Sequence, residues 1–317
     1  MDINILSRHD NVIKGPLPIE WIMLAYCLIT FILAAFLWNN IEAAPILNRL
    51  YILTGTAVLW GLYRYLPCQL TYLLRILFQI LLLGYWYPDI YYFAKFMPNT
   101  DHLFASVDQF VFGCQPAVIF RQILPGLFWK ELFNMGYFSY YLMILCVFIW
   151  PLFHHYRLLD YSTCVMVCSF MLFYFIFLLL QSAGPQFYFQ HIGSQLVSEG
   201  KFPAIGDWFC YHPQLIHDHS TPNGLFSSLV EIMQQGEKPI AAFPSSHVGL
   251  STIILILARK MSHRLFWIFV PFYCILCLST VYIGAHYAID VLGGWLFAIP
   301  IYHLSSCISS RILTKQS

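Results

Sequence analysis

Charged side chains are scarce in this sequence: Asp, Glu, Lys and Arg make up 10% of its 317 residues, against about 25% in a typical soluble domain. The formal net charge is only +1, so the chain has no basic excess for a nucleic-acid partner. With 59% hydrophobic and 18% aromatic residues, it cannot cover a water-exposed surface with polar groups. The composition predicts an integral membrane protein whose surroundings are the bilayer.

Long apolar runs predict an all-α integral membrane protein, folded as a polytopic helical bundle. Runs able to cross a hydrocarbon core of about 30 Å lie at 19–38, 48–66, 70–87, 132–152, 161–182, 244–258, 265–285 and 287–305. The second, third and sixth runs are weak, so we predict about eight spans within a range of six to eight. Arg49, Arg64 and Arg75 lie near the ends of the second and third runs, where we expect their side chains to reach the membrane interface.

The distribution of Lys and Arg predicts how the spans are oriented. With eight spans, one side of the membrane carries Arg8, Lys14, Arg64, Arg75, Arg157, Arg259, Lys260, Arg264, Arg311 and Lys315. The other side carries Arg49, Lys95, Arg121, Lys130, Lys201 and Lys238. Because cytoplasmic loops are enriched in these residues, we predict cytoplasmic termini and extracytoplasmic connections at 88–131 and 183–243. The membrane would be a bacterial inner membrane or a eukaryotic membrane of the Golgi type.

Ionisable residues at the ends of the last spans indicate a catalytic site on the extracytoplasmic face. His247 lies at the start of the sixth span, and His286 and Asp290 lie at the start of the eighth. Polar groups in these positions are costly and are functional candidates by default. His286 and Asp290 are four residues apart, so on a helix the carboxylate can accept a hydrogen bond from one imidazole nitrogen and leave the other as a nucleophile.

The residues around His247 predict an anion site. Pro244 fits the first turn of a helix, and the backbone N–H groups of Ser245, Ser246 and His247 would then be free at the positive end of the helix dipole. A phosphate group suits such a site.

Two motifs in this region resemble those of the type 2 phosphatidic acid phosphatase superfamily, Pro-Ser-x-His and Ser-Arg-x5-His-x3-Asp. The matching residues are Pro244, Ser245 and His247 for the first motif and Ser279, His286 and Asp290 for the second. The resemblance implies a superfamily-type core and chemistry that needs neither a metal nor another cofactor. It also implies that His286 becomes phosphohistidine, that Asp290 orients it, and that His247 protonates the leaving group and then deprotonates the acceptor. Ser245 and the neighbouring backbone N–H groups, including that of Ser246, would hold phosphoryl oxygens.

The sequence departs from the superfamily pattern at the residues that clamp phosphate. Thr280 replaces the expected Arg, and the chain has no Arg-Pro dipeptide. Since a phosphodiester carries one negative charge and a phosphomonoester two, the loss of cations favours a diester lipid as substrate. Lys238, nine residues before His247, either supplies part of the missing charge or is a solvated loop residue.

Two further segments resemble the inositol phosphorylceramide synthase branch of the superfamily. The stretch Ser182-Ala183-Gly184-Pro185-Gln186-Phe187-Tyr188 is similar to its Gly-x-Pro-rich aromatic element. By this resemblance Gly184, Pro185 and Tyr188 are candidate substrate-binding residues. Asp108-x-x-Val111-Phe112-Gly113 is similar to an Asp-x-x-Leu-Phe-Gly stretch of the same branch. We therefore divide the chain into N-terminal membrane spans at 1–87 and a catalytic membrane domain at 88–317.

Two groups of residues in the long connections have alternative interpretations. His212, His217, Asp218 and His219 could be metal ligands, but with no second shell apparent we interpret them as a solvated loop or substrate gate and predict no metal site. Cys114 and Cys210 are the two cysteines on the predicted oxidising side. Whether they form a disulfide depends on their proximity, which the sequence leaves open.

The function predicted from these features is transfer of a phospho-headgroup, of the inositol phosphate type, from a glycerophospholipid to a lipid alcohol such as ceramide. One alternative is a lipid phosphatase acting on phosphatidic acid, phosphatidylglycerophosphate or an isoprenoid pyrophosphate. Another, of a different class, is a non-catalytic lipid transporter or lipid-binding protein. The sequence does not determine the headgroup, the acceptor or the oligomeric state.

Overall fold

A computed structural model of the protein describes residues 13–39, 41–154, 158–214 and 224–314. These residues form the helices α1 (Pro18–Phe36), α2 (Ala44–Tyr65), α3 (Gln69–Asp89), α4 (Tyr91–Ala94), α5 (Asp101–Phe112), α6 (Pro116–Ile123), α7 (Leu127–His154), α8 (Leu159–Leu179), α9 (Pro185–Ile192), α10 (Ser194–Ser198), α11 (Trp208–Tyr211), α12 (Leu225–Gln234), α13 (Ser246–Met261), α14 (His263–Tyr282) and α15 (Ala288–Thr314). No β-strand is found within these ranges, and the predicted all-α fold is confirmed.

Within the described residues, six helices are long and apolar enough to cross a membrane: α1, α3 together with α4, α7, α8, α14 and α15. The pair α5 and α6 is bent by 55° and would add a seventh span if it crossed as one unit. The range of six to eight spans is therefore confirmed at its lower end. The predicted spans at 48–66 and 244–258 are helices, α2 and α13, but they are not among the six. That these two also cross the membrane stays a prediction.

Helix α13 lies at the centre of the bundle, which explains why it is short and only moderately apolar. It packs against α7, α8, α14 and α15, so most of its surface faces protein instead of lipid. Its 16 residues extend over about 24 Å. Its N-terminus is capped by Ser245, whose Oγ accepts a hydrogen bond from Val248 N at 3.4 Å. The start of α13 is thus held within a cage of four helices.

The expectation that Arg49 and Arg75 reach the membrane interface is wrong. Both side chains are fully buried. The Arg49 guanidinium donates to the two carboxylate oxygens of Asp89 at 3.2 and 2.7 Å, and that of Arg75 donates to Glu20 at 2.8 and 2.5 Å. A buried cation is tolerated when a carboxylate with good geometry compensates it. Arg64, in contrast, lies on the surface.

The N-terminal helices pack directly on the rest of the bundle. Helices α1 and α3 both contact α8, and the Tyr174 hydroxyl of α8 donates to the Leu83 carbonyl of α3 at 3.0 Å. Tyr72 of α3 also donates to the carboxylate of Asp160 on α8. The two parts of the chain, 1–87 and 88–317, therefore share an interface. Their division into separate domains stays a prediction.

Candidate active site

Two imidazole rings face each other at one end of the bundle. His247 is the second residue of α13, and His286 lies in the short loop between α14 and α15. The Nδ1 atom of His247 is 3.2 Å from the Nε2 atom of His286. His286 is only 3% exposed, while His247 is half-buried. The structure therefore brings together the two histidines that the sequence identified separately.

The hydrogen bonds of His286 determine which of its nitrogens carries the proton and which has a free lone pair. Its Nδ1 atom is 2.8 Å from the carbonyl oxygen of Ala242. Because a carbonyl only accepts hydrogen bonds, Nδ1 must carry the proton, and the neutral ring then has its lone pair on Nε2. That lone pair points towards His247, so the His247 Nδ1–H is the donor in the contact between the rings. Nε2 is thus the atom able to attack phosphorus.

Asp290 lies beside His286 but is not its nearest partner. The distance from Asp290 Oδ2 to His286 Nδ1 is 3.4 Å, longer than the 2.8 Å to the Ala242 carbonyl. The same Oδ2 accepts from Tyr287 N at 2.8 Å. The family resemblance gives Asp290 the role of orienting the imidazole. In the structure, the Ala242 carbonyl also orients it.

Asp108 fixes the start of the helix that follows His286. Its carboxylate oxygens accept hydrogen bonds from Ala288 N and Ile289 N at 2.8 and 2.9 Å. These N–H groups belong to the first turn of α15 and would otherwise be unsatisfied. The Asp-x-x-Val-Phe-Gly stretch therefore has a structural role in placing His286 and Asp290.

A second buried carboxylate, Asp101, holds the segment 182–186 against the His286 loop. It accepts from Ala183 N at 2.7 Å and from Gly184 N at 2.8 Å. Gly184 has a φ of 91°, and a Cβ atom added there would lie 2.6 Å from the Ala285 carbonyl oxygen. Only glycine fits this position without displacing the residue next to His286.

Replacing Gly184 by alanine is expected to lower turnover by about tenfold or more, because the added methyl group displaces the 284–286 loop and misplaces the nucleophile. Gly193→Ala is the matched control, since Gly193 has a similar φ of 84° but open space around its Cβ position. The two variants should be compared in initial rate and thermal unfolding. Equal effects of the two changes would show that backbone strain, and not the Ala285 contact, is what matters.

A small cavity of about 20 Å³, enough for one water molecule, lies beside the two imidazoles. Its lining includes Gln186, Phe187, Glu237, Lys238 and Ser246. Two of the residues predicted to bind substrate, Lys238 and Ser246, therefore lie in the cavity wall. Whether they contact substrate stays a prediction.

The other four predicted substrate residues support the site without appearing in the cavity wall. Ser245 is fully buried, and its N–H donates to the Asp290 carbonyl oxygen at 3.0 Å. Gly184 and Pro185 form the turn into α9. The Tyr188 hydroxyl donates to the Pro203 carbonyl at 2.7 Å. The predicted anion site thus reduces to the N–H groups of Ser246 and His247, the first two residues of α13.

The sequence did not identify three side chains near the imidazoles. The rings of Tyr137 and Tyr140 each lie 4.6 Å from that of His247, centre to centre. They are three residues apart on α7 and therefore lie on one face of the helix. This spacing within a predicted span is the feature of the sequence that could have identified them. Glu237 lines the same cavity as both histidines. Its position next to Lys238, a predicted substrate-binding residue, is the feature of the sequence that could have identified it.

The long connections contain no metal cluster within the described residues. The His212 ring stacks on Trp208 with ring centres 3.7 Å apart, whereas His217, Asp218 and His219 lie outside the described residues. Cys114 and Cys210 are free thiols, and the Cys210 Sγ donates to the Lys95 carbonyl at 3.3 Å.

Burial lowers the pKa of His286 to about 4, although the Ala242 carbonyl and the charge of Glu237 act in the opposite direction. The resemblance predicts that the neutral imidazole is the nucleophile, and a lowered pKa would keep it active as the solution is acidified. We expect the acidic limb of kcat/KM to lie below pH 6 instead of near the usual 6.5. A pH profile of initial rates would test this, and half-maximal loss at pH 6.5 or above would contradict it.

Comparison with known proteins gives one positive result. The family model described as PAP2 superfamily matches residues 126–304, more than half of the chain. This region contains α7, α8, α13 and α14, the His286 loop and the first part of α15. No curated protein and no solved structure gives a significant match. The chain is therefore a membrane protein that belongs to the PAP2 superfamily, whose members are generally phosphatases and phosphotransferases.

Proposed function

We propose that the protein is a lipid phosphotransferase that moves a phospho-headgroup from a glycerophospholipid to a lipid alcohol through a phosphohistidine on His286. The headgroup is of the inositol phosphate type, the acceptor is an alcohol such as ceramide, and diacylglycerol is released. The proposal depends on one observation above all: the unprotonated Nε2 of His286 faces the Nδ1 of His247 at 3.2 Å, next to a cavity.

In the first half-reaction, His286 Nε2 attacks phosphorus and displaces the diacylglycerol oxygen. A P–N bond forms as the P–O bond breaks, and His247, protonated beside the anionic substrate, gives its proton to the leaving oxygen. The N–H groups of Ser246 and His247 are placed to stabilise the phosphoryl oxygens. The headgroup phosphate is then held on His286.

In the second half-reaction, the acceptor hydroxyl takes the place of diacylglycerol. His247 removes the hydroxyl proton, a new P–O bond forms and the P–N bond breaks, which regenerates both histidines. Phe187 is 3% exposed and forms part of the cavity wall. This apolar surface supports the proposal that lipid alcohol, and not water, reaches the intermediate.

The charges of the cavity favour a phosphodiester donor. Among the described residues that line it, Lys238 is the sole Lys or Arg. Thr280, at the position of the superfamily's Arg, is fully buried, and its hydroxyl donates to the Cys277 carbonyl at 3.0 Å. Because Glu237 also lines the cavity, the cavity wall offers little net positive charge, which suits the single negative charge of a diester better than the two charges of a monoester.

The direct test uses purified protein with labelled phosphatidylinositol, with and without ceramide, in the presence of a chelator. The expected products are a phosphorylated ceramide and diacylglycerol, formed only when ceramide is present and lost in His286→Ala. Release of free phosphate from phosphatidic acid or a lipid pyrophosphate, without lipid-to-lipid transfer, would establish the phosphatase alternative. Binding without turnover of any of these lipids would favour a transporter or binding protein.

We also propose that the site faces away from the cytoplasm, because the basic turn between α13 and α14 lies at the other end of these helices. In sealed vesicles with the cytoplasmic face outward, an impermeant maleimide should label Arg264→Cys. Ser198→Cys, on α10, should be labelled only after detergent is added. The reverse pattern would place the active site in the cytoplasm.

A further inference from the structure

Glu237 places an acidic side chain in the catalytic cavity, where the phosphohistidine mechanism has no use for one. Its side chain lines the same cavity as His247, His286 and Lys238. Sites for anionic phosphate are normally built from cations and N–H donors. Burial raises the pKa of Glu237, while its hydrogen bond from Gln186 lowers it; in its ionised form the carboxylate weakens the binding of any group that carries excess negative charge.

The position of this carboxylate is fixed by hydrogen bonds that lead to the nucleophile. Glu237 Oε2 accepts from Gln186 Nε2 at 2.8 Å. The Gln186 side chain is held in turn by Gln234, whose Nε2 donates to Gln186 Oε1 at 3.2 Å. The Gln186 backbone N–H donates to the Gly284 carbonyl at 2.9 Å, two residues before His286. The carboxylate therefore cannot easily turn away from a substrate bound at His286.

The one cation of the cavity wall does not neutralise Glu237 by direct contact. Within the part of the chain that the structure describes, no ion pair joins Lys238 to a carboxylate. Its ammonium instead lies 5.8 Å from the centre of the Tyr91 ring. Lys238 can compensate the single charge of a phosphodiester. The second charge of a monoester has no further cation among the described lining residues and would be repelled by Glu237.

We propose that Glu237 is a specificity-determining residue that excludes phosphomonoester dianions by charge repulsion and so restricts the cavity to phosphodiesters. This inference rests on the proposed function, since it concerns the donor for the same site. Two like charges several ångströms apart in a medium of effective dielectric about 20 correspond to roughly 10- to 100-fold discrimination. Lys238 offsets part of this repulsion. We therefore expect the discrimination between monoester and diester to change by at least about tenfold when the charge of Glu237 is removed.

The test is Glu237→Gln, which keeps the shape of the side chain and removes its charge. Purified full-length protein in mixed micelles is assayed for hydrolysis of phosphatidic acid and for headgroup transfer from phosphatidylinositol, and the ratio of the two kcat/KM values is compared. We expect the ratio to rise at least about tenfold in the variant while transfer persists. Glu231→Gln, on α12, removes an equal charge outside the cavity and should leave the ratio unchanged.

Two results would overturn the role of Glu237. One is a ratio within about twofold of wild type in a Glu237→Gln protein that still transfers the headgroup. If the variant does not fold, the wild-type protein is inhibited with glycerol 3-phosphate, a monoester, and with glycerophosphocholine, a diester; equal inhibition by the two overturns the proposal. A wild-type protein that hydrolyses phosphatidic acid and transfers nothing contradicts the proposed function itself, which is a separate outcome.

Discussion

Replacement of His286 by alanine is expected to abolish headgroup transfer and the covalent intermediate together, with a loss on the order of 10⁴-fold or more. In the proposed mechanism, Nε2 of His286 is the nucleophile and carries the phosphoryl group between the two half-reactions. The residual rate should be that of the uncatalysed reaction with bound substrate.

The measurement is a single-turnover experiment with phosphatidylinositol that carries labelled phosphorus. Wild-type protein quenched in alkali should hold label on the chain, and acid should release it, as expected for a P–N bond. His286→Ala should hold none. His303→Ala is the matched control, since His303 is an exposed histidine on α15 far from the site. Label or turnover in His286→Ala would mean that another group is the nucleophile.

That His247 and His286 lie together could be predicted from the sequence because their spacing along the chain is simple. His247 begins one helix and His286 precedes another, and a bundle in which these ends meet brings the rings together. The Ala242 carbonyl could not be predicted as the partner of His286. That contact spans 44 residues and depends on the path of the loop before α13, which no periodicity describes.

The partners of the supporting carboxylates, Asp101 and Asp108, could not be predicted from the sequence either. Asp101 and Asp108 lie in one short amphipathic helix, α5, and the sequence gives no indication that they cap two distant segments. Asp101 caps the turn at Gly184, and Asp108 caps the start of α15. The capped partners are backbone N–H groups, which every residue except proline has and which therefore leave no signal in the sequence. Gly184, a predicted substrate-binding residue, positions the loop next to His286, and its contact with substrate stays a prediction.

The buried cations of the N-terminal helices were predicted wrongly for a related reason. Arg49 and Arg75 lie near helix ends, a position typical of side chains that reach the interface. Each has a carboxylate partner 40 or 55 residues away in sequence, Asp89 and Glu20. Only the approach of the helices makes burial acceptable, because an unpaired charge there would cost several kcal/mol. Removal of one partner alone should therefore be more harmful than removal of the pair.

Replacement of His247 by alanine is expected to slow turnover by roughly 10²- to 10⁴-fold, the usual contribution of a general acid and base. Unlike the loss of His286, this loss should depend on the leaving group. A diacylglycerol alkoxide must be protonated as it departs, whereas a nitrophenolate is stable without a proton. The variant should therefore form the phosphohistidine from a nitrophenyl phosphodiester almost as fast as wild type.

The second half-reaction distinguishes the two functions of His247. Even with a nitrophenyl donor, the acceptor hydroxyl still has to be deprotonated, so His247→Ala should release about one nitrophenolate per protein molecule in a rapid burst and then turn over slowly. Rapid-mixing absorbance measures both phases, with the His303→Ala protein as control. If the nitrophenyl and diacylglycerol donors are slowed equally, His247 does not protonate the leaving group. A variant with a full steady-state rate and no burst would show that another residue activates the acceptor, and Glu237 in the same cavity would be the first to be examined.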